Sequence, residues 1–294
     1  TPTHKLPYPL VKNFTSYAEE ITTPVEFFKV VQKHAAKNHC LLKGTLIRPL
    51  TNEPRANTTR SNDETEWVCL DFDRFETHDI EEQLAAMDLG DVSYVLQYSA
   101  SHGLPENEGT VSAHVFMLLD TPVQAPALKS WLMGQNLSLF RDELRLSRDK
   151  NQLSWPLDIS ACQNDKLIYI APPVLKGIKD PMGKTPRISY VKRKHDKLSL
   201  NGLVSSSSKN KELNHKRIAD LREESGLPAH KITYKMHGST EVMLKPDECI
   251  ITEMKTERGF VYFNLNGGDS WAYYHPENAP DYILNFKGEP AYLT

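Results

Sequence analysis

Two acids separated by one residue close a strongly apolar stretch, Trp67-Val68-Cys69-Leu70-Asp71-Phe72-Asp73. Side chains alternate faces along a strand, so Asp71 and Asp73 point one way and Leu70 and Phe72 the other. Two carboxylates on one face at the exit of an apolar strand offer the oxygen ligands that Mg²⁺ or Mn²⁺ takes while bridging to substrate phosphates. The same acids would serve equally as a solvated strand end. A second apolar stretch, residues 111–119, carries Ser112 and His114 on one face at its start. A hydroxyl and an imidazole there are placed to hold a nucleotide's phosphates, or to form a buried structural histidine with its hydrogen bonds met. The preceding loop, Tyr98-Ser99-Ala100-Ser101-His102-Gly103, adds small and polar residues suited to close phosphate approach. In Trp155-Pro156-Leu157-Asp158-Ile159-Ser160 one acid sits in apolar surroundings ahead of the stretch Leu167-Ile168-Tyr169-Ile170-Ala171-Pro172-Pro173. Taken alone, Asp158 reads as a turn residue or a helix cap.

The elements around these residues follow from pattern. Thr23 caps a helix with Pro24 in its first turn and Glu26 completing a capping box, running to about Asn38. Residues 40–47 read as a strand, and a polar loop over 52–66 contains Arg55 and Arg60. Strands are predicted over 67–72, 93–98, 113–119 and 166–171, and helices over 80–87 and 125–139. This pattern predicts an α+β (α/β) domain over residues 1–190. Residues 191–211 turn basic and then Ser-rich at 205–208, which reads as a linker. Residues 212–294 read as a small accessory domain, with a helix near 212–224, a strand near 259–265 and an Asn266-Gly267-Gly268-Asp269 turn.

Composition bounds the function classes. The chain of 294 residues is 39% hydrophobic and 25% charged, the range of ordinary globular proteins, and its length predicts one large domain or two modest ones. Its longest strongly apolar run near the middle, residues 115–119, is far short of a membrane span. Cys40, Cys69, Cys162 and Cys249 are scattered without a CxxC pair, which argues against a zinc ribbon and a disulfide scaffold. With no basic-then-apolar leader, the expected location is a reduced cytoplasm, and Thr1 in place of Met points to a piece of a longer protein. The net charge of −3 hides an asymmetry: residues 176–217 hold twelve Lys and Arg against three acids, which leaves the remainder at −12. One basic stretch on an acidic protein suits a polyanion met at a chosen place, or a solvated linker kept extended by its charge.

Taken together, DxD, then SxH, then a hydrophobic residue followed by Asp resembles the three motifs of the archaeo-eukaryotic primase superfamily, most closely the primase-polymerases of phages, prophages and plasmids. Asp71 and Asp73 match its first motif, Ser112 and His114 the second, and Leu157 with Asp158 the third. Ile170-Ala171-Pro172-Pro173 is similar too, as are Leu41-Leu42-Lys43-Gly44, Arg48 and Glu53-Pro54-Arg55, so that the likeness spans roughly residues 25–180. The resemblance implies an RNA-recognition-motif-like, mostly antiparallel sheet flanked by helices. It implies a DNA primase or DNA polymerase of a phage or mobile element in a bacterial host cell. Asp71, Asp73 and Asp158 would hold Mg²⁺ or Mn²⁺, and Ser112 and His114 would position the phosphates of an NTP or dNTP. Single-stranded DNA template and primer-template would be its partners, with a replicative helicase as a further one.

Phosphate contacts need cations, which makes Lys43 and Arg55 candidate nucleotide-binding residues, with Arg48, Arg60, Arg148 and Lys176 beside them. Trp271, Tyr273 and Tyr274 are candidates for stacking on template bases. The zinc-binding insertion of some relatives has no counterpart in this sequence. The same acids and histidine leave two other readings open, a metal-dependent phosphoesterase or nuclease and a non-catalytic origin-binding module.

Overall fold

A computed structural model describes residues 4–76, 79–148, 150–200, 208–227, 251–257, 260–265, 271–275 and 279–285. The chain divides into two units, Thr1–His230 and Lys231–Thr294. The first unit opens with β1 (Asn13–Phe14), α1 (Pro24–Ala35), β2 (Cys40–Leu42), β3 (Glu53–Pro54) and β4 (Glu64–Phe75). It continues with α2 (Ile80–Ala86), β5 (Tyr94–Tyr98), β6 (Val111–Gln124) and α3 (Ala125–Ser138). Then come β7 (Arg145–Leu146), β8 (Leu153–Ser154), β9 (Leu167–Tyr169), β10 (Ile188–Val191), β11 (Lys197–Leu198) and α4 (Ser208–Glu224). In the second unit β12 (Ile251–Glu257), β13 (Phe260–Leu265), β14 (Trp271–His275) and β15 (Ala279–Asn285) form an antiparallel sheet in sequence order. The protein is thus of mixed α+β class.

The sheet that matters for the site is built on β6. It pairs antiparallel with β5 and with β4, β10 adds antiparallel to β5, and β11 adds two parallel residues at Leu118 and Leu119. Alternation decides which helix each residue meets. Val68, Leu70, Phe72, Val115 and Met117 face a core completed by Ile80 and Leu84 of α2 and Leu128 and Leu132 of α3. Cys69, Val95, Phe116 and Leu118 point to the other face, where Phe27, Val31 and Ala35 of α1 cover them. Both faces are buried, so these strands read as apolar runs broken only where chemistry requires it.

Helix α1 starts where its capping residues put it. Glu26 N–H donates to Thr23 Oγ1 at 3.3 Å, and the Glu26 carboxylate accepts Thr23 N–H at 3.0 Å. The strand expected over 40–47 is shorter, ending at Leu42. There the chain turns against Asn164, whose carbonyl accepts Gly44 N–H at 2.9 Å, and a Cβ on Gly44 would lie 2.6 Å from the Asn164 Cβ. That close approach requires glycine.

The helix near 212–224 does not belong with the C-terminal part. Ile218 and Leu221 of α4 share a buried cluster with Leu137, Leu144 and Leu153, so α4 is bound to the first unit by its apolar stripe. The expected linker over 191–211 contains β11, whose Leu198 joins the main core. Residues 201–207 of that stretch lie outside the described residues. Among the described residues no helix is long and apolar enough to cross a membrane.

Candidate active site

Two residues beyond Cys69, Val95 and Phe116, on the same sheet face, the side chains change from apolar to polar: Asp71 on β4, Gln97 on β5 and His114 on β6. The register sets them in one row, with Asp71 opposite His114 and His114 opposite Gln97. His114 is 7% exposed and its Nε2 lies 3.4 Å from Asp71 Oδ1. Gln97, 1% exposed, donates from Nε2 to the Tyr98 carbonyl at 2.7 Å. A carbonyl only accepts, so the amide oxygen of Gln97 is the atom that faces His114 Nδ1. Nδ1 therefore carries a proton, and Nε2 is left to face Asp71. It offers a lone pair to a cation or, once protonated, a second N–H to a phosphate.

Asp73 and Arg74 form a bulge. Phe72 pairs with Ala113 and Phe75 with Val111, so two residues of β4 stand opposite Ser112 alone. Arg74 takes a left-handed backbone conformation, φ 52°, and its N–H donates to Ser112 Oγ at 3.1 Å. Ser112 is buried, and its hydroxyl oxygen holds the bulge that aims Asp73. Bulges that re-aim a side chain concentrate beside active sites.

The third acid arrives through the main chain. Leu157 forms an isolated antiparallel bridge with Phe72. Asp158 N–H donates to the Asp71 carbonyl at 2.8 Å, and Asp73 N–H to the Pro156 carbonyl at 3.0 Å. Residues 156–158 thus extend the sheet beside β4, and Asp158 stands next to the first two acids. Asn136, fully buried on α3, clamps the segment by donating to the Leu157 carbonyl at 2.9 Å and accepting the Leu157 N–H at 3.2 Å.

The electrostatics register this convergence. Asp73 is an exposed residue at the mouth of the site, yet its carboxyl is held above the usual range, first by partial burial, then by the negative charges of Asp71 and Asp158. Asp158 goes the opposite way. Burial pushes it up, but hydrogen bonds from the Ser160 N–H and hydroxyl and from the Lys166 ammonium outweigh that and hold it below its usual range. Lys166, 3.0 Å from Asp158, is burdened by burial but raised overall by Asp158 and by the more distant Asp71.

The expected basic residues are placed less uniformly. Lys43 is a correction: it is 1% exposed, its ammonium donates to Thr65 Oγ1 and lies 4.7 Å from the Trp67 ring centroid, so no face is left for a nucleotide. Burial lowers it to about 8. Arg55 donates to the Asp165 carbonyl at 2.6 Å and lies over the Phe14 ring, which makes it a tie between loops. Arg48 is paired with Glu53 through two bonds of 2.6 Å. Arg60, Arg148 and Lys176 are exposed. Trp271, Tyr273 and Tyr274 fall on β14 of the second unit. Gln97 and Lys166 were not expected from the sequence. Gln97 has a readable signal, a lone amide inside the apolar strand Tyr94–Tyr98. Lys166 has none.

A divalent cation fits part of this arrangement. Among the described residues no group of three or more His, Cys, Asp or Glu is arranged to hold a metal ion, and the Asp158 oxygens are turned to Ser160 and Lys166. Asp71 and Asp73 remain as hard oxygen donors, neighbours along β4. Mg²⁺ needs only one or two carboxylates when water and substrate phosphates complete its shell. No family model, no curated protein and no solved structure matches the chain.

Proposed function

We propose that the protein is a template-dependent nucleotidyltransferase, a DNA primase or DNA polymerase of the archaeo-eukaryotic primase type. The observation that carries this reading is the main-chain bridge from Phe72 to Leu157, which brings the third motif beside the first while His114 of the second faces Asp71. Three stretches far apart in sequence meet beside one another on β4, β6 and the segment that bridges to β4, which a chance match of short patterns does not require. The proposal also takes the β10-β5-β6-β4 layer with its helices for the RNA-recognition-motif-like catalytic core of that superfamily. Single-stranded DNA, a primed template and an NTP or dNTP are the ligands it assigns, in the bacterial cytoplasm and beside a replicative helicase.

In this reading Asp71 and Asp73 would hold Mg²⁺ or Mn²⁺, which supplies charge neutralisation for the triphosphate. His114, oriented by Gln97 through Nδ1–H and carrying a second proton on Nε2, donates from Nε2 to a phosphate oxygen. The 3′-hydroxyl oxygen of the primer bonds to the α-phosphorus, the bond to the pyrophosphate oxygen breaks, and the hydroxyl proton leaves to water. Such a transfer asks for positioning and electrostatics, which a rigid sheet edge supplies. The test is a labelled primer-template incubated with Mg²⁺ or Mn²⁺, with and without dNTPs or NTPs. Extension that needs nucleotide is expected; shortening without nucleotide would replace the proposal with a nuclease.

A further inference from the structure

Asp158 is held from two sides. Its Oδ1 accepts the Ser160 N–H at 2.7 Å, and its Oδ2 accepts the Ser160 hydroxyl at 2.7 Å and the Lys166 ammonium at 3.0 Å. The ammonium also donates to Ser160 Oγ at 2.6 Å, so three groups close on one another. Lys166 does not stand on a loose loop. It immediately precedes β9, which pairs with β2, and its carbonyl accepts the Lys43 N–H at 3.0 Å. Sheet pairing thus sets the root of the side chain, and Asp158 with Ser160 sets its tip.

We propose that Lys166 stands where a second cation would, so that the site takes one divalent ion, on Asp71 and Asp73, and Asp158 positions the lysine instead of ligating metal. This rests on the nucleotidyl-transfer reading and specifies its charge arrangement. The ammonium of Lys166 supplies, at Asp158, the positive charge that a metal ion there would otherwise supply. A second ion on Asp158 would lie beside the ammonium and be repelled by it. The Asp158 oxygens are directed at Ser160 and Lys166, whereas Asp73 is exposed and, among the described residues, Asp71 has no hydrogen bond to a lysine or a serine. An ammonium is a compact point charge with three donors, able to meet a triphosphate oxygen while keeping its carboxylate partner.

The test counts ions. Mn²⁺ alone is titrated into the full chain, and the unbound ion is read by electron paramagnetic resonance. One Mn²⁺ per chain is expected for the wild type and for Lys166→Arg. Lys166→Met should take two, and the double variant Lys166→Met with Asp158→Asn should return to one. Two ions in the wild type, or one in Lys166→Met, would overturn the assignment and leave the Asp71–Asp73 site standing. No protein-bound Mn²⁺ in the wild type, either alone or with a non-hydrolysable nucleoside triphosphate present, would remove the nucleotidyl-transfer reading and this inference with it. Lys166 is partly exposed, so Lys166→Met opens no core cavity, and circular dichroism of each variant verifies its fold.

Discussion

Asp158 and Asp71 are joined through their backbones: the Asp158 N–H donates to the Asp71 carbonyl at 2.8 Å, on one flank of the Phe72–Leu157 bridge. A peptide hydrogen bond fixes the two main chains relative to each other, so the acids start from neighbouring backbone positions, and the charges of Asp71 and Asp158 are felt at Asp73.

Asp73 is shifted first by partial burial and then by the charges of Asp71 and Asp158. Its carboxyl is held above the ordinary value, so the folded state binds this proton more tightly than the unfolded chain. The contribution to stability is greatest below the ordinary carboxylate range and is lost as pH rises through the folded value. At pH 7 the ionised group opposes folding. Asp73→Asn should raise the melting temperature slightly without Mg²⁺, yet lower nucleotide incorporation by about 1,000-fold or more, since several kcal/mol of charge stabilisation are removed. Differential scanning calorimetry and primer extension check the two halves, and full retained synthesis would remove Asp73 from the site.

Gln97 fixes the proton on His114. Imidazole ¹⁵N chemical shifts should show a proton on Nδ1 in the wild type, and a shift towards the Nε2–H tautomer in Gln97→Leu. Gln97 orients the ring that meets the phosphate, so incorporation by Gln97→Leu should fall by about 10–100-fold, the range seen for partners that orient metal-bound histidines, while Asp71 and Asp73 stay in place. An Nε2–H tautomer in the wild type would reverse the orientation argued for the amide.

Lys43 is a charge in the core without a carboxylate. Burial lowers it to about 8, so the unfolded chain binds its proton more tightly between that value and the ordinary 10.5. Its contribution to stability is missing at pH 7 and rises by about 3 kcal/mol as pH climbs through this window. Lys43→Met keeps the volume and removes the charge. Urea unfolding should show a higher midpoint at pH 7 than the wild type, and the gap should close towards pH 10.5.

His34 and His39 meet nitrogen to nitrogen at 2.9 Å at the end of α1, with Glu19 on the far side of His34 and Tyr17 stacked on His39. Burial, then the charges of His34 and Lys37, holds His39 below 6.5. The unfolded chain takes that proton more readily, so stability present at pH 7 is lost as pH falls through the folded value. Replacing His39 by Phe keeps the stack on Tyr17 and should flatten the fall in melting temperature between pH 7 and pH 5.

Short-range geometry was legible in the order of the residues. Alternation set Asp71 on the face opposite Leu70 and Phe72, and Ser112 with His114 on one face of their own strand, because regular strand geometry repeats every two residues. The capping box of α1 was equally legible, since its donors and acceptors lie within one turn. The bulge at Asp73 and Arg74 interrupts the two-residue repeat and was not legible. What stands opposite what was decided only by tertiary structure. Register across β4, β5 and β6 follows from burying both faces of the sheet at once, and it set His114 between Asp71 and Gln97. The same packing sent Lys43 under Trp67, bound α4 to the first unit and turned Asp158 towards Lys166. A lysine on the surface and a lysine in the core carry the same letter, and only the neighbours brought by long-range pairing tell them apart.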